Sequence, residues 1–271
     1  MVPMMTFSAD KKNCAMKEKR ISSTLILVLA VLSAGSAFAQ IDRPPIVEMD
    51  FEMTDNDGKL IVSEPGNLAE GAQIKELWYA AELVEQENGQ VLKLSDVQAI
   101  REAKTFNHGC VVIEDFPNTF PDGLTFQARV NVAEVEKTNY EGVLFSNQTS
   151  DRSPGISLQV QSSGLLRVFT HRDTPTGLET AGIPFAGPIL PFGEWVTVVL
   201  THYDGESILY LDGMEYAHSY TPGPLGEGGT RLTIGAYNGG YAYGFEGQLD
   251  DVRIFDYART PEQIAEDSKV P

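Results

Sequence analysis

The chain has 271 residues, 42% of them apolar, enough for a packed core in one large domain or two small ones, which excludes wholesale disorder. Twenty basic residues against 38 acidic give a net charge of −18, which repels phosphate backbones and anionic lipid heads and excludes a nucleic-acid partner. Two cysteines, Cys14 and Cys110, are too few for a disulfide framework or a cysteine-built zinc site, so oxygen ligands, aromatic rings and shape must carry any function.

The first element is an export signal. The basic run Lys17-Glu18-Lys19-Arg20 precedes an apolar stretch over residues 25–32, followed by small residues and Ala37-Phe38-Ala39. That stretch is about half of the roughly twenty residues needed to span a bilayer. Cleavage after Ala39, with translation starting at Met16, leaves residues 1–39 as signal peptide and upstream sequence. Removing 39 residues, five basic and two acidic, takes the charge from −18 to −21. No second long apolar run follows, so the expected product is exported, periplasmic or extracellular, and not an integral membrane protein. Cys110, within Cys110-Val111-Val112-Ile113, reads as a buried strand thiol.

Next in chain order, Ile74, Leu77, Trp78, Ala81 and Val84 recur at helical spacing and predict a helix over about 68–86. Ser95-Asp96-Val97-Gln98 has the form of a capping box opening a short helical turn. From residue 109 onward short β-type runs recur between turn residues, including 110–114, 124–132, 142–145, 156–161, 165–171, 195–201, 207–211, 231–234 and 245–255. Ser163-Gly164, Asp204-Gly205 and Asp212-Gly213 supply the positive φ of tight hairpins. Alternation places Phe126, Ala128, Val130 and Val132 on one face toward a core, with the other face toward water. Thr260-Pro261-Glu262-Gln263 combines an N-cap, a proline at the first helical position and a capping glutamine, predicting a last helix over 260–267.

Three stretches carry a family resemblance: residues 195–205, Leu209-Tyr210-Leu211-Asp212-Gly213, and residues 245–255 with the helix at 260–264. They resemble the laminin G-like jelly-roll domains of the concanavalin A-like lectin/glucanase superfamily, over residues 46–265. The resemblance implies an all-β, two-sheet antiparallel jelly-roll sandwich, with short helical segments near 68–86 and 260–267. It makes residues 40–271 a single laminin G-like domain. Within it Val196, Val198 and Leu200 face inward, Trp195 closes one end, and Arg253 points to solvent or a carboxylate.

Four groups are candidates for chemistry. Glu48, Asp50 and Glu52 alternate as if on one strand face, the spacing a retaining glycosidase needs for two carboxyl groups roughly 5 Å apart. They are similar to the Glu-x-Asp-x-Glu strand of the lichenase and laminarinase enzymes, although here the motif opens the mature chain. Asp250-Asp251 resembles the closing strand that lends an aspartate to a structural calcium in many superfamily members. Asp250, with Asp50 or Glu52, is the metal set implied, and a pair of acids partnering Arg253 or water is the alternative. Thr54-Asp55-Asn56-Asp57-Gly58 reads as a polar turn. Tyr237, Asn238, Tyr241 and Tyr243, set among glycines, combine flat rings with hydrogen-bonding groups and form the candidate ligand-binding loop. His171-Arg172-Asp173 ends a strand and can add polar contacts or serve as a solvated turn.

The expected function is therefore an exported, non-catalytic binding module recognising a glycan or a cell-surface, matrix or envelope protein. One alternative is a β-glucan endohydrolase using Glu48, Asp50 and Glu52; another is a structural or protein-interaction component of the envelope.

Overall fold

In the computed structural model, residues 41–51, 74–75, 81–87, 89–94, 108–135, 141–149, 153–174, 177–183, 187–240 and 242–268 are described. Their strands in chain order are β1 (Val47–Met49), β2 (Ile74–Lys75), β3 (Ala81–Gln86), β4 (Gly89–Leu94) and β5 (Val111–Ile113). There follow β6 (Leu124–Val132), β7 (Glu141–Ser146), β8 (Gly155–Gln161), β9 (Leu166–Thr174) and β10 (Gly177–Ile183). The last are β11 (Trp195–Tyr203), β12 (Glu206–Leu211), β13 (Met214–Tyr220), β14 (Leu232–Ile234) and β15 (Gly247–Phe255), before helix α1 (Pro261–Asp267).

These strands pair antiparallel into two sheets. One runs β13-β12-β11-β6-β15-β4-β3, with β1 on β15, and the other β10-β9-β8-β7-β14-β5-β2. Alternation builds the core between them: Phe126, Ala128, Val130 and Val132 of β6 and Val196, Val198 and Leu200 of β11 are all buried. Phe126 meets Phe145 of the opposite sheet with ring centroids 5.0 Å apart. The jelly-roll sandwich expected from the sequence is the fold observed.

The hairpin turns follow their sequence. Asp204 and Gly205 (φ 44° and 83°) and Asp212 and Gly213 (φ 47° and 80°) both supply the two positive φ values of a tight two-residue turn. Helix α1 carries the predicted capping box: the Gln263 amide nitrogen donates to Thr260 Oγ1 at 3.3 Å, and Thr260 N–H donates to Gln263 Oε1 at 2.9 Å.

Three expectations are corrected. Residues 81–86 are not helical: β3 forms a hairpin with β4, pairing from Ala81 with Leu94 to Gln86 with Gly89. The Asn88-Gly89 pair is a strong hairpin signal, and burying Leu92 and Leu94 against β15 outweighs a helical periodicity that this stretch shares with alternation. The second correction concerns the outer face of β6 and β11, which does not simply meet water. Ile264 packs there with Val199 and Tyr210, and Thr125 Oγ1 donates to the Tyr257 carbonyl at 2.8 Å. Trp195, third, does not close an end. It alternates with buried Val196, so it lies on the outer face, where the Arg129 guanidinium stands 5.1 Å from its ring centroid. The Ser95 turn, the Thr54–Gly58 segment, Glu52 and Tyr241 lie outside the described residues.

Candidate functional site

The acidic candidates are built into the junction of the first and last strands. Val47 and Met49 are buried, so Glu48 points outward, where its Oε1 accepts from Arg253 Nε at 3.0 Å. Strand β1 stops at Met49, Asp50 is exposed, and Phe51 takes a left-handed backbone (φ 58°) that ends the extended run before Glu52. Of the three acids, Glu48 lies on β1, Asp50 follows its end, and Glu52 lies outside the described residues.

Asp250 and Asp251 form a β-bulge. The β15–β6 register slips between Asp250 and Arg253, with Asp251 at φ 47°. Asp250 Oδ1 accepts the Asp251 N–H at 2.9 Å, and its Oδ2 accepts from Arg129 at 3.0 Å. A calcium ion requires several converging oxygens. Here an arginine already sits against the aspartate, and no group of three or more acidic, histidine or cysteine side chains converges among the described residues. Asp250 is therefore held by an arginine, and Glu52, another acid of the expected set, lies outside the described residues.

The tyrosine loop is a closed turn. Asn238–Gly240 form a single 3-10 turn, with Asn238 at φ 46°, and Tyr237 N–H donates to the Ala242 carbonyl at 2.8 Å. Gly239 N–H donates to Thr233 Oγ1 at 2.9 Å. Tyr237 is buried and meets Tyr243 edge-on, centroids 5.9 Å apart, while Tyr243 is 40% exposed. Tyr237 thus plugs the sandwich, and Tyr243 is the exposed ring among the described residues of this loop. Beside it Cys110 is fully buried, and burial pushes its thiol up to about 12 against the opposing pull of Arg231, so it is an inert core residue.

The larger site lies at the opposite end of β6. A cleft of about 830 Å³ opens between the loop preceding β6, the β11–β12 turn and the connection from β13 to β14. Its lining is apolar at Phe120, Pro121, Pro224 and Leu225 and polar at Asn118, Arg172 and His202, with Asp204 and Glu227 exposed. His202 is buried, and its Nδ1 lies 2.8 Å from Ser207 Oγ, while Nε2 has no hydrogen-bond partner. Burial, reinforced by Arg172, lowers its pKa to about 4, so the imidazole is neutral at pH 7.

Arg172 is locked in place. Its guanidinium donates to the Thr221 carbonyl at 3.3 Å, to the Pro222 carbonyl and to Glu179 Oε2 at 2.7 Å. Gly223 permits this: it has φ 113°, and a Cβ there would stand 2.7 Å from Arg172 Nη1. Next to Arg172 in sequence, His171 Nδ1 contacts Gln148 Nε2, and Asn147 Oδ1 accepts the Ile156 N–H at 2.9 Å. Sequence reading placed His171-Arg172 at a strand end but gave the cleft no weight. The Pro- and Gly-rich run 221–229, a long connection between strands, was the signal that could have located it.

The family model described as the concanavalin A-like lectin/glucanases superfamily matches residues 106–265, more than half of the chain, and the chain belongs to that superfamily. A sequence search of curated proteins finds no match. Among solved structures the chain is similar to the botulinum neurotoxin serotype G binding domain, with TM-score 0.59, 10% identity, and 83% of this chain and 51% of that chain covered. It is also similar to the botulinum neurotoxin DC binding domain in complex with rat synaptotagmin II (TM-score 0.58, 12% identity, 83% and 51% covered). A third is botulinum neurotoxin type C, whose cell entry depends on two ganglioside molecules (TM-score 0.57, 11% identity, 83% and 51% covered). The chain spans about half the length of these structures (51%), and at such identities the likeness is one of fold. Among the described residues no helix is long and apolar enough to cross a membrane.

Proposed function

We propose that the chain is an exported, non-catalytic binding module that seats an uncharged glycan in the end cleft. The observation that carries this reading is the mixed lining of the cleft, in which Phe120, Pro224 and Leu225 are joined by Asn118 and a buried, neutral imidazole. A sugar ring presents a C–H face suited to Phe120 and Leu225, and hydroxyls that pair with polar side chains of the lining. The exposed carboxylates Asp204 and Glu227, and an arginine already engaged by Glu179 and two carbonyls, disfavour an anionic ligand. Export is supported by the basic, apolar and small-residue order of residues 17–39, and a binding role by neighbours that engage gangliosides and synaptotagmin. The experiment is a glycan array probed with the full chain: selective retention on neutral saccharides is expected. Retention on none, alongside tight association with an envelope protein, overturns the glycan reading.

A further inference from the structure

A second surface lies on the outer face of the β11–β12–β13 ribbon and shares Tyr203 with the lining of the cleft. Tyr203 pairs with Glu206 across β11 and β12, and Glu206 pairs with Tyr220 across β12 and β13. Directly opposed residues of antiparallel strands share a face, so the two tyrosines flank the carboxylate in one row. The row points outward, because the neighbouring row, His202, Ser207 and Ser219, holds buried His202 and Ser207 on the inner side. Tyr203 is 36% exposed and Tyr220 61%, and Tyr216 of β13 adds a third ring at 62%.

Geometry and charge together specify an occupant. Two strand spacings separate the tyrosine backbones by about 10 Å. A cation between the rings therefore lies within the roughly 6 Å at which a ring face attracts it, with the Glu206 carboxylate as floor. Residues 195–220 hold four acidic residues, Asp204, Glu206, Asp212 and Glu215, and neither Lys nor Arg. Edge strands ordinarily carry lysine as a guard against association; β13 carries exposed rings instead. The nearest basic group is His218, whose Nε2 lies 3.0 Å from Glu206 Oε1, and an incoming guanidinium or ammonium would share that carboxylate with it. Burial first, and then the charges of Glu215, Glu206 and Glu262, raise the hydroxyl pKa of Tyr210, on the same face, to about 12.

We propose that the Tyr203–Glu206–Tyr220 row docks a basic segment of a partner protein, with one lysine or arginine side chain seated between the two rings. The carboxylate floor repels an anionic ligand and pairs with a cationic one.

The test is titration calorimetry of the full chain, at physiological salt, with a capped hexapeptide of alternating lysine and arginine, and with its all-glutamate counterpart. Three variants separate local recognition from bulk charge. Glu206→Gln and Tyr220→Leu alter the row, and Glu194→Gln removes the same charge from an exposed position at the far end of β11. Saturable binding of the basic peptide is expected, about tenfold weaker in the first two variants and unchanged in the third. Equal weakening in all three, equal binding of the glutamate peptide, or no saturable binding of the basic peptide overturns the proposal. Thermal midpoints of the variants, expected to match the parent, show that any loss is not unfolding.

Discussion

Glu48 and Arg253, 205 residues apart in sequence, meet at 3.0 Å and stitch the opening strand of the sandwich to its closing strand. Arg253 also reaches Asp267 at 3.8 Å, and Asp267 binds Arg259, so one chain of ion pairs ties β1, β15 and the C-terminal helix together.

Both side chains of that pair are about one-third exposed (33% and 35%), so the pair contributes about 0.5–1 kcal/mol. Glu48→Gln is expected to lower the urea midpoint by that small amount and to leave ligand binding intact. A hydrolase would lose its activity with this change, so any saccharide cleavage by the parent that disappears in Glu48→Gln would count against the structural role.

His202 makes stability depend on pH. Its folded pKa of about 4 lies below the ordinary value of 6.5, so between the two values the unfolded chain binds more protons than the native one, and stability rises with pH. The contribution is complete above about 6.5 and is lost as pH falls toward about 4. Asp267 acts lower. Burial raises its pKa, but Arg259, Gln127 and Arg253 outweigh that and leave it below the ordinary 3.8. Urea denaturation at pH 7 and pH 4.5 should show the parent losing more stability on acidification than His202→Asn. Parallel losses would show that His202 is not the titrating group.

Cys110 should resist alkylation by iodoacetamide at pH 8 in the folded protein and react once urea unfolds it, since burial is what raises its pKa to about 12. Mass spectrometry of the labelled chain reads the difference directly.

Thr260→Ala removes one half of the capping box on α1 and should cost about 1 kcal/mol. Thr260→Ser, which keeps the hydroxyl acceptor, should restore most of it in the same denaturation assay.

The core of this fold was legible because its strands alternate cleanly: Phe126 to Val132 and Val196 to Leu200 state their inward faces, and Asp-Gly pairs state their turns. Helix α1 was legible because capping is local chemistry within four residues. Residues 81–86 were not, since Ala81, Leu83 and Val84 satisfy two periods at once and only the pairing with β4 decides between them. The partners of the acids were not legible for a similar reason. Glu48 and Asp250 look alike as carboxylates in sequence, and only the fold brings Arg253 and Arg129 against them. Tyr237 and Tyr243 have the same composition-level signal but differ in burial, which spacing does not encode. The cleft escaped because Phe120, Arg172, His202 and Leu225 come from four separate segments that only the finished sandwich brings to one end.

The most direct test of the account is titration of a neutral oligosaccharide selected on the array into the parent and into Thr119→Trp, a substitution of an exposed cleft-lining residue that fills the opening. Loss of saturable binding in Thr119→Trp, with Tyr243→Ala binding as the parent does, is the predicted result. Undiminished affinity in the filled cleft would contradict it and return the tyrosine loop as the place where this module meets its ligand.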